Sequence, residues 1–579
     1  MTTPRLLPIL YGVGAVLAAV ILAPLYGGHL LYRDAVSTPR SFVTDAALGI
    51  GPLAPRAAPQ DWFVAVTSTV VDGGIVVAVV LTAALACAAV GYGRLAARLV
   101  PGAGRTGAVA AAVVSVWNPF VAERLLQGHW GLLVGFAALG WIVVAAADLV
   151  AQPLSLVRWL QLGALLAAAG LTPTGSVLAL VTGVVAVAAS ETGHRLRLSA
   201  AVVALWVCSA LPWLVAAAIG GGSAGSDGRA GVAAFGLRPE PGLGSWGTAL
   251  GLGGIWNSDA VPASRTIWWA AVATLCLLLV VVAGSVTLWR SRIDSHRRPL
   301  IRASAALAVV AVVVVAATAS GPGRSALGML VDAVPSAGLV RDTQKFLALT
   351  MPFIAVATAG AVMALRRHVP SGFALAAVAL LVVAPLPDLG WGVGGRITPV
   401  HYPADWARVA AIVPADSGAV ALWPPGTVRD YTFADGVSLD PAPRMLRAPV
   451  IESGELRVDG VVVDRAEPGA AEVDRALHDG ADPATLAALG VGWVLVERDV
   501  RGGVDLPARP AGLTPVFAGA DLELLRVEGP AAAGATAAAR VSAWTAHLVW
   551  AALIVAGGLA AGTAAARRGL IGATRRRAR

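Results

Sequence analysis

The sequence is poor in charged residues. Only 13% of its 579 residues are Asp, Glu, Lys or Arg, whereas 57% are hydrophobic and the mean hydropathy is +0.74. This composition excludes an ordinary soluble enzyme, whose surface needs far more charge. The long apolar runs instead predict a polytopic, mainly α-helical membrane protein that is surrounded by membrane lipids.

Cysteine and lysine are also scarce. The three cysteines, Cys87, Cys208 and Cys276, lie inside apolar runs without metal-site spacing, so the long polar segments contain no disulfide framework. Lys345 is the one lysine among 43 basic residues. The arginines cluster in short loops between apolar runs, so the positive-inside rule explains the net charge of +9 better than nucleic acid binding does. We therefore expect no nucleic acid partner.

The apolar runs predict about twelve membrane spans. With the N-terminus in the cytoplasm, the Arg-rich loops fall on the inner side and the C-terminus is also cytoplasmic. These loops are 94–105, 195–197, 290–302, 366–367 and 567–579. The longer polar segments then lie outside the plasma membrane, at 27–61, 220–265, 321–345 and 387–540. All five Arg-rich loops fall on the same side of the membrane, which favours this topology.

Three regions follow from this topology. Residues 1–386 form a transmembrane helical domain with outer loops, residues 387–540 an extracytoplasmic domain, and residues 541–579 a final transmembrane helix with a basic cytoplasmic tail. Within the second region, short apolar strands alternate with segments of helical spacing, which predicts a small α/β fold. The predicted strands are Ala419–Trp423, Val491–Val496 and Leu522–Val527.

The stretch WNPFVAERLLQGHW, at 117–130, places charges between two long apolar runs. Its Asn-Pro pair interrupts a helix, so we interpret the stretch as a re-entrant dip in the outer face. Glu123, Arg124 and His129 would then lie where charges usually face a cavity or a partner. Two interpretations stay open. Glu123 and Arg124 pair with each other and fix the dip, or Arg124 beside His129 holds an anionic phosphate.

The first outer segment contains two candidate bases. Asp34 follows the first span by a few residues, and Asp45 lies further along. A carboxylate at this depth can act as a general base or as a partner for a divalent metal. The alternative is a solvated interfacial loop with Arg33 at head-group level. Asp34 is the better candidate, because its backbone is held close to the membrane.

The segment GLVRDTQKF, at 338–346, opens the predicted tenth span. Arg341 and Lys345 are four residues apart and would share one helix face. Two cations at a helix start oppose the helix dipole, and a bound lipid phosphate would offset that cost. The alternative is that both side chains extend to lipid head groups.

Together these features resemble the GT-C class of membrane glycosyltransferases, which combine many spans, an acidic first outer loop, a re-entrant outer element and a C-terminal outer domain. The segments NPFVAERLLQGHW and RDTQKF look like those of the large actinobacterial members that use polyprenyl-phosphate sugars, such as mycobacterial arabinofuranosyl- and mannosyltransferases. The resemblance implies that Asp34, or secondly Asp45, is the catalytic base. The class often has adjacent acidic residues at this place, where this chain has Arg33-Asp34.

The resemblance further implies an inverting, lipid-linked glycosyltransferase that acts on the outer face of the plasma membrane in cell-envelope glycan or glycolipid assembly. Its partners would be a polyprenyl-phosphate sugar donor and a glycan or glycolipid acceptor. A divalent metal is compatible with these residues but not required. The alternative is a non-enzymatic transporter or assembly factor for envelope glycolipids, which would use the same cations without a base. The expected substrate-binding residues are Glu123, Arg124, His129, Arg341 and Lys345.

The topology makes a direct prediction for the region 387–540. A cysteine introduced by Asp435→Cys should react with a membrane-impermeant maleimide on intact cells, because this region lies outside the membrane. Mass-shift labelling of the purified protein measures the reaction. Protection of this cysteine in intact cells, with labelling only after lysis, would contradict the predicted topology.

Overall fold

The computed structural model of the chain describes residues 6–220, 228–458, 460–501, 513–529 and 534–577. In these ranges the fold is mainly helical with a few small sheets, which confirms the predicted class. Nine of the described helices are long and apolar enough to cross a membrane, or ten if the bent pair Ser371–Val383 and Pro387–Gly395 is one span. Two shorter apolar helices, Leu156–Ala169 and Pro173–Ala188, complete the bundle.

The remaining elements alternate between apolar helices of the bundle and shorter helices and turns in the polar segments. The other apolar helices are Leu6–Leu22, Gly73–Leu99, Gly104–Val116, Pro119–Gln127, Trp130–Ala151, Arg195–Ile219, Trp269–Arg290, Arg298–Thr318, Met351–Leu365 and Ala537–Arg577. The short α-helices are Gln60–Thr67, Gly228–Ala234, Gly244–Leu250, Gly321–Ala333, Ala404–Ile412, Ala442–Met445, Pro468–His478 and Pro483–Ala488. The 3₁₀ turns are Ala23–Gly27, Pro101–Ala103, Ser258–Ala260, Ala263–Arg265, Pro335–Val340, Thr343–Thr350 and Pro387–Leu389.

Two predicted spans differ from the structure. The apolar run at about 63–90 predicts a single second span, but the helix Gln60–Thr67 ends and a new helix, Gly73–Leu99, begins. Asp72 causes this break, because its carboxylate caps the new helix by accepting hydrogen bonds from the backbone N–H groups of the first turn. The tenth span was expected to begin as a regular helix, whereas its first turns, Thr343–Thr350, are 3₁₀.

The region 387–540 contains a five-stranded sheet. Neighbouring strands in order are Thr514–Ala518, Leu522–Arg526, Val491–Glu497, Ala419–Trp423 and Val450–Ile451. The first two pairings are antiparallel and the last two are parallel. Alternate residues of these strands enter two separate apolar clusters, one on each face, as the strand period of two requires. The predicted strands at 419–423, 491–496 and 522–527 are confirmed within a residue.

The final helix, Ala537–Arg577, packs through small residues against Leu156–Ala169. A Cβ added at Gly557 would overlap Ala164 and the carbonyl of Leu160, whereas a Cβ added to its neighbour Gly558 would meet nothing. Close approach through small residues is the usual way in which membrane helices associate, because apolar area alone gains little in lipid.

The two neighbouring glycines therefore predict opposite responses to the same change. Gly557→Leu should lower the free energy of unfolding by about 1–3 kcal/mol, because the larger side chain prevents the close approach of the final helix to Leu156–Ala169. Gly558→Leu is the matched control and should leave the unfolding temperature of the detergent-solubilised protein unchanged. Equal effects of both changes would contradict this packing.

Candidate active site

The dip is a short helix with a defined cap at each end. Asn118 accepts a hydrogen bond from the Val121 N–H at 3.0 Å and begins the helix Pro119–Gln127. Gly128 ends it with φ +83°, in the left-handed region that glycine tolerates. A side chain at Gly128 would overlap the backbone at Ala35. The end of the dip therefore lies directly against the first outer segment.

The first outer segment forms a two-residue hairpin at this contact. Leu31–Tyr32 pairs with Ala35–Val36, so Arg33 and Asp34 form the tip. The N–H of Asp34 donates to the carbonyl of Gln127 at 3.2 Å, which attaches the hairpin to the dip. Arg33 lies over the ring of Tyr32 and does not pair with Asp34. The turn at the tip directs the two side chains to different partners.

Asp34 faces His129. Its Oδ2 lies 2.9 Å from Nε2 of His129, and the side-chain amide of Gln127 approaches the same oxygen at 3.4 Å. The carboxylate is 42% exposed, so one side of it is open to a ligand. Asp34 is therefore both oriented by protein groups and accessible, as a general base requires.

Arg124 fixes the tautomer of His129. One terminal nitrogen of Arg124 lies 3.0 Å from Nδ1 of His129 and 3.0 Å from Oδ2 of Asp342. Because a guanidinium can only donate, Nδ1 is the acceptor, and Nε2 carries the hydrogen that is donated to Asp34. The Arg124 side chain is 0% exposed. Lys345 completes the group, with Nζ 3.4 Å from the same oxygen of Asp342.

These contacts join five side chains into what we call the Asp34 cluster: Asp34, His129, Arg124, Asp342 and Lys345. Burial alone would raise the pKa of Asp34, but the hydrogen bond from His129 and the charge of Lys345 outweigh it and hold that pKa below its usual value. Burial would likewise raise the pKa of Asp342, and Arg124 and Lys345 lower it. Burial lowers the pKa of His129 to about 4, so the ring is neutral at physiological pH.

The cluster contains polar atoms without protein partners. Nε and Nη2 of Arg124 and Oδ1 of Asp342 are buried, and no other described residue hydrogen-bonds to them. Buried N–H groups without a partner are costly unless water or a ligand oxygen satisfies them. The phosphate interpretation would give these two edges of Arg124 a partner, but the side chain is 0% exposed, so they are closed to a ligand in this structure.

Glu123 does not pair with Arg124. It is fully buried and accepts hydrogen bonds from the N–H groups of Gly254 and Ile255 at 3.0 and 3.1 Å, and from the amide of Gln344 at 3.0 Å. The hypothesis that Glu123 and Arg124 fix the dip by pairing is therefore wrong. With three donors and no exposed surface, Glu123 holds the backbone at Gly254 and Ile255 to the dip. The structure gives it no open face for a substrate.

Arg341 lies outside the Asp34 cluster. Its guanidinium binds Asp464 of the sheet region at 2.7 and 3.3 Å and covers the ring of Phe235. The expected common face with Lys345 is absent, because Arg341 precedes the 3₁₀ turns at Thr343–Thr350. Arg341 thus connects the segment before Thr343 to Asp464 of the region 387–540. The neighbouring Asp342, and not Arg341, contacts Arg124 and Lys345 in the cluster.

Asp45 is occupied by a cation. Both of its oxygens bind Arg540, at 2.7 and 2.9 Å, and one also accepts a hydrogen bond from the Ala535 N–H at 2.9 Å. The Asp45 side chain is 14% exposed. Asp45 therefore attaches the first outer segment to the start of the final helix, which leaves Asp34 as the accessible carboxylate.

The side chains of the Asp34 cluster do not form the ligand set of a divalent metal. Metal sites in proteins are built from several converging oxygen, nitrogen or sulfur ligands. Over the part of the chain that the structure describes, no three His, Cys, Asp or Glu side chains converge in this way. Each carboxylate of the Asp34 cluster faces a cation or an imidazole instead, so we assign no step to a metal.

Burial of His129 in the neutral form predicts a pH-dependent stability. Its pKa of about 4 in the folded protein lies below the value of about 6.5 expected after unfolding. The unfolded state therefore binds more protons as pH falls from about 6.5 to 4, which should remove up to about 3 kcal/mol of stability. His129→Gln keeps a donor and an acceptor but cannot be protonated. The unfolding temperature of this variant should fall less between neutral pH and about pH 4.5 than that of the wild type; an identical fall would contradict the assignment.

The chain was compared with known proteins. No protein-family model and no curated protein matches it. Among solved structures it is similar to the mycobacterial arabinofuranosyltransferase AftD, with a TM-score of 0.53 and 17% identity over 92% of this chain and 40% of that chain. A mutant AftD structure gives a TM-score of 0.48 and 16% identity over 92% of this chain and 42% of that chain. The chain spans about two fifths of AftD, and the likeness is one of fold: a polytopic membrane bundle.

Proposed function

We propose that this protein is a membrane glycosyltransferase that transfers a sugar from a polyprenyl-phosphate donor to a glycan or glycolipid acceptor during cell-envelope assembly. The observation that carries the proposal is the Asp34 cluster. An accessible carboxylate, oriented by a neutral imidazole, lies in one hydrogen-bonded group with two cations. The AftD-like fold supports the same class of activity, because AftD is an arabinofuranosyltransferase.

In the proposed reaction, Asp34 accepts the proton of an acceptor hydroxyl. The oxygen forms a bond to the anomeric carbon of the donor while the bond from that carbon to the phosphate oxygen breaks. The electron pair leaves with the phosphate, and the configuration at the carbon inverts. The pKa of Asp34 lies below its usual value, so Asp34 is ionised at neutral pH and ready to accept the proton. His129 stays neutral and keeps the carboxylate in place.

The leaving phosphate would bind at the cation side of the cluster. Lys345 is 22% exposed and would contact the phosphate directly, whereas Arg124 is 0% exposed and would act through its charge. Preorganised donors aimed at developing negative charge are among the largest contributions to catalysis in water-poor sites. Asp342 keeps both cations in position before the donor arrives. The prenyl chain would extend between the apolar helices.

The proposed orientation places both termini in the cytoplasm and the region 387–540 outside. Asp148 binds Arg98 and Arg158 at one end of the helix Trp130–Ala151, and His129 lies at its other end. A helix of 22 residues is about 33 Å long, roughly the thickness of the hydrocarbon core. The arginine-rich side and the Asp34 cluster therefore face opposite membrane surfaces. The positive-inside rule supports an outer location for the cluster.

Removal of the base tests the proposal. Asp34→Asn keeps the shape and the acceptor oxygen, and it should lower sugar transfer by about 100-fold or more while leaving expression and unfolding temperature close to the wild type. Asp45→Asn is the matched control, because Asp45 binds Arg540 and not the cluster. Transfer is measured in proteoliposomes with radiolabelled polyprenyl-phosphate sugars and an acceptor.

Two outcomes would contradict the proposal in different ways. Full transfer by Asp34→Asn would refute the role of Asp34 as the base. Absence of transfer by the wild-type protein with every donor tested, together with loss of envelope glycolipid in a deletion strain, would instead favour a transporter or assembly factor that uses the same cations.

A further inference from the structure

A polar cavity of about 420 Å³ lies at the hairpin tip, where Tyr32 and Arg33 form part of its wall. Its walls come from the tip itself, from the turn Ser258–Ala260, from the segment 395–398 and from the region 430–437 of the outer segment. A volume of this size falls in the range of about 300–1,000 Å³ that is typical of sites for small organic ligands. The side chains that determine its chemistry are Arg33, Asp259, Arg396, Asp430 and Asp435.

Two arginines in the wall are held in place through the backbone. Arg33 donates to the Asp259 carbonyl at 2.7 Å, and Arg396 donates to the same carbonyl and to that of Val261. These bonds use only some of the five N–H groups on each guanidinium. The remaining N–H groups are available as donors at fixed positions, so the order of this wall does not depend on a ligand.

The carboxylates supply acceptors on the facing walls. Asp435 accepts a hydrogen bond from the hydroxyl of Thr398 at 2.8 Å, and Asp430 binds Arg501 at 3.0 Å. The carboxylate of Asp259 is exposed and accepts no hydrogen bond from the described residues. These three carboxylates do not converge as a metal site would.

Charges of both signs at fixed positions favour a neutral ligand with many hydroxyl groups over a simple ion. A hydroxyl donates to a carboxylate and accepts from a guanidinium, so one saccharide can satisfy both kinds of wall. A phosphate would be repelled by the three carboxylates, and a metal would be repelled by the two arginines.

The wall of the cavity is linked to Asp34 by two short routes through the protein. Arg33, in its wall, precedes Asp34 in the hairpin tip. On the second route, Asn257, two residues before Asp259, donates to the side-chain carbonyl of Gln127 at 2.9 Å, and the amide of Gln127 faces Asp34 at 3.4 Å. These links run through protein atoms, and they place the cavity wall within a few residues of the proposed base.

We infer that this cavity binds the oligosaccharide part of the acceptor and directs a terminal hydroxyl towards Asp34. Binding of the oligosaccharide follows from the cavity alone, whereas its use as an acceptor rests on the proposed function. The transfer step is unchanged: the hydroxyl proton goes to Asp34, and the phosphate leaves from the donor.

The inference is tested by binding and by transfer on the same variants of the full-length protein. Binding of short soluble oligosaccharides of arabinose, mannose and glucose is measured by saturation-transfer NMR and calorimetry in detergent. Asp259→Asn and Asp435→Asn should each weaken binding of the preferred oligosaccharide by about tenfold, since a charge-assisted hydrogen bond is lost. Asp416→Asn, an exposed change outside the cavity wall, should leave binding unchanged.

The outcomes separate this inference from the proposed function. Asp34→Asn should bind the oligosaccharide normally yet fail to transfer, and the cavity variants should raise the KM for the acceptor more than they lower kcat. Oligosaccharide binding that is lost in the cavity variants supports the site even if the wild type transfers no sugar. Transfer with an unchanged acceptor KM in both cavity variants, or no binding of any of the oligosaccharides by the wild type, would overturn the inference.

Discussion

The structure around the site depends on one fully desolvated ion pair, Arg124 with Asp342. The partners are 218 residues apart and lie 3.0 Å from each other, with almost no exposed surface. Such a pair adds little net stability, but removal of one partner typically costs about 3–5 kcal/mol because the other charge stays buried. The pair therefore fixes the dip against the segment before Thr343. It also determines which nitrogen of His129 faces Asp34.

A second set of buried polar contacts attaches the long outer loop to the same place. Glu123 binds the backbone at Gly254 and the amide of Gln344. In the same loop, Glu240 and Arg265 form a fully buried ion pair that joins its two ends. Burial raises the pKa of Glu240, and Arg265 opposes that rise. These buried polar residues attach the loop that contains Gly254 and Asp259 to the dip, and the same loop forms one wall of the polar cavity.

Some of this arrangement was predictable and some was not. The apolar runs predicted the bundle, and Asp34, Arg124, His129 and Lys345 were identifiable because such side chains rarely lie so close to a membrane without a function. The wrong or incomplete expectations concern partners that are far away in sequence. Arg341 binds Asp464, 123 residues away, and Asp45 binds Arg540, 495 residues away. Only tertiary packing brings such pairs together, so local spacing carries no signal for them.

The charges of the Asp34 cluster favour the direction of the proposed reaction. Two carboxylates face two cations, so the cluster is balanced before a donor binds. When Asp34 takes the acceptor proton it loses its negative charge, while the phosphate, on changing from a diester to a monoester, gains up to one more. Negative charge therefore moves from Asp34 towards Arg124 and Lys345 without a change in total charge. His129 is neutral and hydrogen-bonded to both Asp34 and Arg124. The charge can therefore shift while the buried guanidinium of Arg124 keeps its partners.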